Sequence, residues 1–252
     1  VRTIVITGSA SGLGLATRRR LEAAGDRVIG VDLRDAEIDA DLATTDGRAA
    51  AITQVRADAP ALDGLIVCAG LGPHVTPTSL LVAVNYFGAV DVLDGLLDTL
   101  AAGTHPAAVV IASNSIGLIP DEGSVVDQML AHDEDAARAT GDRVPGAVLY
   151  GLTKQALARA VRRRAAAWGE AGVRLNAIAP GPTMTPLLQG SLDDEELGPL
   201  VDALPIPLGR RAQPDEMAAI ITFLASTDSA YVHGSIWFAD GGTDAVVRPD
   251  HF

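Results

Sequence analysis

Thr3-Ile4-Val5-Ile6-Thr7-Gly8-Ser9-Ala10-Ser11-Gly12-Leu13-Gly14 runs from a β-branched segment straight into a glycine-rich turn. β-Branched side chains without polar alternation favour a strand buried on both faces. Leu15, Ala16, Leu21 and Ala24 then recur at helical spacing until Gly25, a residue suited to a left-handed helix end. Arg27-Val28-Ile29-Gly30-Val31-Asp32 is a second strand, ending on an acid. Strand, glycine-rich turn, helix, strand and terminal acid form the βαβ unit of a dinucleotide-binding half. The glycines let the backbone approach a pyrophosphate, which the free N–H groups of the helix start receive. Asp32 stands where a carboxylate accepts hydrogen bonds from the adenosine ribose and repels a 2′-phosphate, favouring NAD over NADP. Arg34 pulls the other way, because a guanidinium attracts phosphate. The spacing here is Gly-x-x-x-Gly-x-Gly, not Gly-x-Gly-x-x-Gly, and any tight corner can use glycine. The flanking strands and Asp32 turn the reading towards phosphate.

The alternation continues downstream. Thr45 to Ala57 reads as a helix, Leu62 to Ala69 as a strand ending at Gly70, and Leu80 to Leu100 as a long helix containing Asn85. Ala107 to Ala112 is a buried strand with Ser113 at its C-terminal end, the edge of a parallel sheet where ligands sit. Residues of about 118–146 break the pattern: an acidic insertion with short helices expected at Val125 to Leu130 and Asp135 to Thr140. Val173 to Ala179 and Ser235 to Asp240 are further strands, and Pro214 to Ala225 is a helix with proline and acids in its first turn. Between them, residues of about 186–208 are rich in proline, leucine and valine. That excursion is either a lid over an apolar ligand or an irregular packing loop. The economical solution is a single α/β domain, residues 1–252. It is a doubly wound Rossmann arrangement of about seven parallel strands with helices on both faces.

Composition narrows the function classes. A net charge of −13 argues against a nucleic-acid partner, and the arginine runs Arg18 to Arg20 and Arg162 to Arg164 read as solvated helix faces. One cysteine, Cys68, excludes an internal disulfide and suits a reducing compartment; its apolar neighbours suggest a small buried hydrophobe. No apolar stretch is expected to span a membrane, the chain enters a strand at once, and a cytoplasmic protein is the expectation. No metal site is indicated.

Tyr150-Gly151-Leu152-Thr153-Lys154 opens an alanine-rich helical run, Gln155 to Trp168, and places a phenol and an ammonium one helical turn apart. By itself that is a surface pair worth a few tenths of a kcal/mol, about 0.2–0.5. Beside a bound dinucleotide it becomes an acid/base device, because a nearby lysine charge favours the phenolate and lowers a pKa ordinarily about 10. Ser113 alone reads as a turn or cap, and Asn85 alone as a satisfied packing residue.

Taken together, these residues resemble the short-chain dehydrogenase/reductase family along the whole chain. The resemblance rests on Thr7-Gly8-x-x-x-Gly12-x-Gly14, Asp32, Asp41-Leu42, Cys68-Ala69-Gly70, Asn85, Ser113, Tyr150-x-x-x-Lys154 and Pro180-Gly181. Cys68 stands where the family usually has asparagine. Ile29 to Asp32, Asn85 to Gly88, Ala165 to Asn176, Tyr231 to Gly234 and the long insertion before Tyr150 are similar to the bacterial 3α-hydroxysteroid dehydrogenase/carbonyl reductase branch.

The resemblance implies hydride transfer between a nicotinamide and a carbinol or carbonyl carbon. Tyr150 would be the general acid/base, with Lys154 lowering its pKa and bonding the nicotinamide ribose, Ser113 orienting the substrate oxygen, and Asn85 holding a water linked to Lys154. Gly8, Ser11, Gly12 and Leu13 would cradle the pyrophosphate, Asp32 and Leu33 would meet the ribose, and Asp41 and Leu42 the adenine. Cys68, Ala69 and Gly70 would line the adenosine side; Pro180, Gly181, Thr183 and Thr185 the nicotinamide end. The insertion, set against helices that pack between subunits in the family, implies a homodimer rather than a tetramer. The expected substrate is a small apolar alcohol or ketone of the hydroxysteroid type; the alternatives are an aryl (coniferyl-type) or terpenoid alcohol, or an NAD-binding sensor without turnover.

Overall fold

The computed structural model describes residues 1–120 and 124–250. Asp121, Glu122 and Gly123 of the acidic insertion, with residues 251–252, lie outside the described residues. Seven strands make one parallel sheet: β1 (Thr3–Thr7), β2 (Arg27–Asp32), β3 (Ile38–Asp39), β4 (Gly64–Val67), β5 (Ala107–Ile111), β6 (Arg174–Pro180) and β7 (Ile236–Ala239). Their order is β3-β2-β1-β4-β5-β6-β7, so the winding reverses between β1 and β4. In the three central strands β1, β4 and β5, every residue but Thr3 is buried, which is why those segments read as continuous apolar runs.

Successive side chains feed opposite layers. Ile4, Ile6, Ile66, Val109, Ile111 and Ile178 pack under α1 (Gly12–Ala23) and, after the insertion and lid regions described below, the late helix Pro214–Leu224. Val5, Leu65, Val67, Ala108, Val110 and Ala177 pack on the other face under α2 (Thr45–Asp58), α3 (Ser79–Ala101) and the helix of Tyr150. Strand period two, with both faces apolar, therefore dictates helices on both sides. The expected single doubly wound domain is what the chain forms.

Four expectations need correction. The two-residue β3 was not foreseen; it adds an edge pair, Val31 with Ile38 and Asp32 with Asp39, too short for a periodic signal. The helix α3 begins one residue early and contains a π-helical turn at Ala83–Phe87, with Asn85 inside it. The helix of Tyr150 starts at Gly146, so Tyr150 lies in its second turn rather than at its opening. Finally, α3 is long and apolar enough to cross a membrane by length and composition, with mean hydropathy 1.6. It instead lies against the sheet with 67% of its most apolar stretch buried and with Asp94 and Asp98 turned to the surface.

The insertion folds as α4 (Ser124–Leu130) and α5 (Glu134–Gly141), which pack on α3 and on α6 (Gly146–Glu170). Residues 186–208 hold two short helices, α7 (Pro186–Leu192) and α8 (Leu197–Asp202). The remaining helices are α9 (Pro214–Leu224) and α10 (Thr243–Val247).

Candidate active site

The β1–α1 turn is built for close approach. Gly8 has φ +70°, and a Cβ there would sit 2.7 Å from the Ala69 nitrogen. A Cβ on Gly14 would sit 2.0 Å from the Gly8 carbonyl oxygen. Side chains are sterically excluded, so this turn presents backbone to the cleft. Ser11 precedes α1 without a side-chain capping bond, leaving the first-turn N–H groups uncapped by it. At the end of β2, the Asp32 carboxylate is fixed by N–H donors from Ala10 (2.9 Å) and Leu33 (2.7 Å). Arg34 is exposed and does not line the cleft. A narrow backbone cradle, a helix start and a carboxylate one strand away fit an extended dinucleotide.

All of these groups open into one cleft of about 780 Å³ at the C-terminal ends of β1, β4, β5 and β6. It is lined by Gly8, Ser11, Gly12, Leu13, Asp32, Leu33, Asp41, Leu42, Cys68, Ala69, Gly70, Ser113, Tyr150, Lys154, Pro180, Gly181, Thr183 and Thr185. Asn85 is the one expected site residue that does not reach the wall. It is fully buried, accepting from the Leu71 N–H at 2.7 Å and donating to the Leu71 carbonyl at 3.1 Å. Its side chain thus holds the loop after β4 in place. That loop brings Gly70 against Lys154: a Cβ on Gly70 would lie 3.6 Å from Nζ.

Ser113 leaves β5 and caps a short 3₁₀ turn, Asn114–Gly117, accepting from the Ser115 N–H at 3.2 Å. Tyr150 and Lys154 come from α6, with Nζ 5.8 Å from the Tyr150 ring centre. Lys154 is buried and donates to the Ile111 carbonyl at 2.8 Å. Burial raises the Tyr150 pKa above its usual value, while a hydrogen bond with Ser113 pulls it back. Burial dominates at Tyr150, and the same burial brings Lys154 itself down to about 8. Burial also pushes the Cys68 thiol up to about 12, against the Lys154 charge, so Cys68 is a neutral wall residue rather than a nucleophile.

Sequence reading missed much of the apolar half of the cleft. Leu71, Val75, Leu80, Val84, Leu118 and Ile119 face it from the loop after β4, from α3 and from the insertion. No local motif marks them, because only the docking of the insertion on α3 and α6 assembles that wall. Of the apolar residues in 186–208, Leu187, Leu188, Leu197, Leu200, Val201 and Leu204 line this cleft, whereas Ile206 and Leu208 line a second cavity beyond Gly181.

A family profile described as enoyl-(acyl carrier protein) reductase matches residues 8–244. The 3-alpha-hydroxysteroid dehydrogenase/carbonyl reductase of Comamonas testosteroni is 50% identical, the match covering 99% of each chain. The crystal structure of the 3-alpha-hydroxysteroid dehydrogenase from Pseudomonas sp. B-0831 complexed with NADH superposes with a TM-score of 0.97 at 42% identity, over 99% of this chain and 100% of that one. The coniferyl-alcohol dehydrogenase of Pseudomonas sp. strain HR199 is 32% identical, over 96% of each chain. With the parallel sheet, the glycine turn and the Ser113, Tyr150 and Lys154 grouping in place, the chain belongs to the short-chain dehydrogenase/reductase family, enzymes that interconvert alcohols and ketones with NAD(P).

Proposed function

We propose that this protein is an NAD-dependent dehydrogenase of secondary alcohols with an apolar ring body, of the 3α-hydroxysteroid dehydrogenase/carbonyl reductase type. The observation that carries the reading is the convergence of Ser113, Tyr150 and Lys154 at one end of a cleft whose other end is apolar. NAD, when bound along the Gly8–Gly14 turn, supplies the acceptor for the hydride that leaves the carbinol carbon. Tyr150 takes the hydroxyl proton in oxidation and returns it in ketone reduction. Ser113 donates to the substrate oxygen and holds it beside Tyr150. Lys154 contributes a positive charge next to the phenol and is within reach of Gly70, where the dinucleotide passes. Asn85 fixes the Leu71 backbone behind Lys154, and a water held there would carry the released proton away.

The fixed Asp32 carboxylate and the outward Arg34 favour NAD over NADP. Residues 186–208 act as a lid and 118–146 as an insertion that seals the wall of the cleft. By covering α3 and α6, the insertion leaves the β7 edge with α9 as the face for a homodimer. The single cysteine agrees with a cytoplasmic location.

The test is a panel of a 3α-hydroxysteroid, coniferyl alcohol and a terpenoid alcohol, followed by NADH absorbance. Saturable oxidation of the steroid with a preference for NAD is expected. Saturation with coniferyl alcohol alone would overturn the steroid assignment, and NAD binding without turnover of any alcohol would make the protein a sensor.

A further inference from the structure

Residues 33–37 form the corner between β2 and β3, directly after Asp32. Leu33, Arg34 and Asp35 are exposed, and the next buried side chain after Val31 is Ile38, so the corner carries no apolar anchor of its own. Its bond from the Ala36 N–H to the Asp39 carboxylate, at 3.3 Å, reaches no further than β3. Glu37 ties it to the body of the fold. One carboxylate oxygen accepts from the Gly30 N–H at 2.8 Å. Gly30 lies one residue before the stretch of β2 that pairs with β3, so the carboxylate takes the place of a strand partner for that N–H. The same carboxylate receives both arms of the Arg18 guanidinium of α1, at 2.5 and 3.0 Å. Glu22 holds Arg18 from within its own helix at 2.8 Å. Glycine is required beneath this knot: a Cβ on Gly30 would sit 2.8 Å from Glu37 Oε2, 3.0 Å from Arg18 Nη1 and 2.4 Å from Ser9 Oγ.

Asp32 is held without this knot, because the Ala10 and Leu33 N–H groups fix its carboxylate directly. Arg34 is placed by the backbone of the corner. It sits two residues past Asp32 and three before Glu37, exposed and off the cleft wall. A guanidinium so close in sequence to the ribose acid becomes a partner for a 2′-phosphate once the chain between them is free to turn. We propose that Glu37 is a positioning residue for coenzyme choice: by pinning 33–37 to α1 and β2, it keeps the Arg34 guanidinium away from the ribose that Asp32 meets. This rests on the NAD reading above and names what maintains it. Exposed ion pairs contribute little to stability, so the effect of the knot is read in coenzyme choice rather than in melting.

The test measures NADH and NADPH binding to the full chain by fluorescence titration, with thermal melting as the check on folding. The unaltered protein is expected to bind NADH at least about tenfold more tightly than NADPH. Glu37→Ala should tighten NADPH about tenfold, the worth of one charge-assisted hydrogen bond to phosphate, and leave NADH within about threefold. Its kcat at saturating NAD should match that of the unaltered protein, since Ser113, Tyr150 and Lys154 are untouched. Arg18→Met unties the same corner without freeing a guanidinium, and should move NADPH binding in the same direction; either variant carries the test if the other does not fold. Adding Arg34→Ala should abolish the gain. NADPH affinity unchanged in Glu37→Ala and Arg18→Met overturns the inference and leaves the preference for NAD standing. A gain that survives Arg34→Ala also overturns it, passing the phosphate contact to another cation. Equal binding of the two coenzymes by the unaltered protein is the separate result that defeats the NAD reading itself.

Discussion

Burial raises the Tyr150 phenol, and the hydrogen bond with Ser113 is the force that opposes it. Alcohol oxidation needs Tyr150 deprotonated, so kcat/KM should rise with pH as the phenolate forms and ketone reduction should fall over the same range. Ser113→Ala removes the hydrogen bond that pulls this pKa down. The rising limb should then move to higher pH, and the plateau should drop about 10²–10³-fold with the lost oxyanion donor. A pH–rate profile of the variant checks this, and a limb superimposed on that of the unaltered enzyme would show that Tyr150 and Ser113 are not coupled. Lys154 adds a second group to the profile, since burial holds it at about 8 and it loses its charge as pH rises past that value.

Arg48 is one of the side chains that tie the insertion to the core, beside Thr78, which donates to the Gly141 carbonyl, and Asp142, which accepts from the Ser79 N–H. Arg48 of α2 is 2% exposed and pairs with Asp91 of α3 at 2.7 Å and with Glu134 of α5 at 2.5 Å. Arg48→Met removes the cation that the two carboxylates share, leaving Asp91 with His132 and Glu134 with Arg138, each at 3.4 Å. A fully buried pair broken this way costs about 3–5 kcal/mol. Both acids here keep about one fifth of their exposure, so about 2–3 kcal/mol is expected, read as a lower urea midpoint. An unchanged midpoint would mean that the apolar contacts of Val125, Val126, Met129 and Ala137 hold the insertion without the ion pairs. The two insertion helices were legible at Val125 to Leu130 and Asp135 to Thr140, because their apolar and acidic residues recur at helical spacing. Their partner Arg48 was not, since it lies in a helix 86 residues from Glu134.

For the molecule as a whole, β7 ends the sheet and presents Trp237 outward, against Phe223 of α9 with ring centres 5.6 Å apart and planes tilted by 42°. Each of the two rings keeps 36% of its surface exposed. An exposed aromatic pair beside an open strand edge suits a two-fold contact with a second copy. Light scattering should give the mass of two chains, and Trp237→Lys should shift it to one. A four-subunit mass would contradict the view that the insertion covers the alternative face on α3 and α6.

Local pattern determined six of the seven strands, the glycine turn, Asp32, and the Tyr150 and Lys154 pair, because each is written in residues close in sequence: β-branching at Thr3–Thr7, a crowded corner at Gly8–Gly14, a four-residue helical step. The placement of Ser113 also followed from local logic, since a residue just past a central parallel strand must face the ligand edge. Tertiary structure decided what those groups experience. Burial in the assembled structure raises the Tyr150 pKa, and no spacing encodes that. Asn85 is spent on the Leu71 backbone because the β4 loop folds over α3. The apolar wall exists only once the helices of the insertion have docked on α3 and α6, since contacts between distant segments are set by the energy of the assembled core, not by any one stretch of chain.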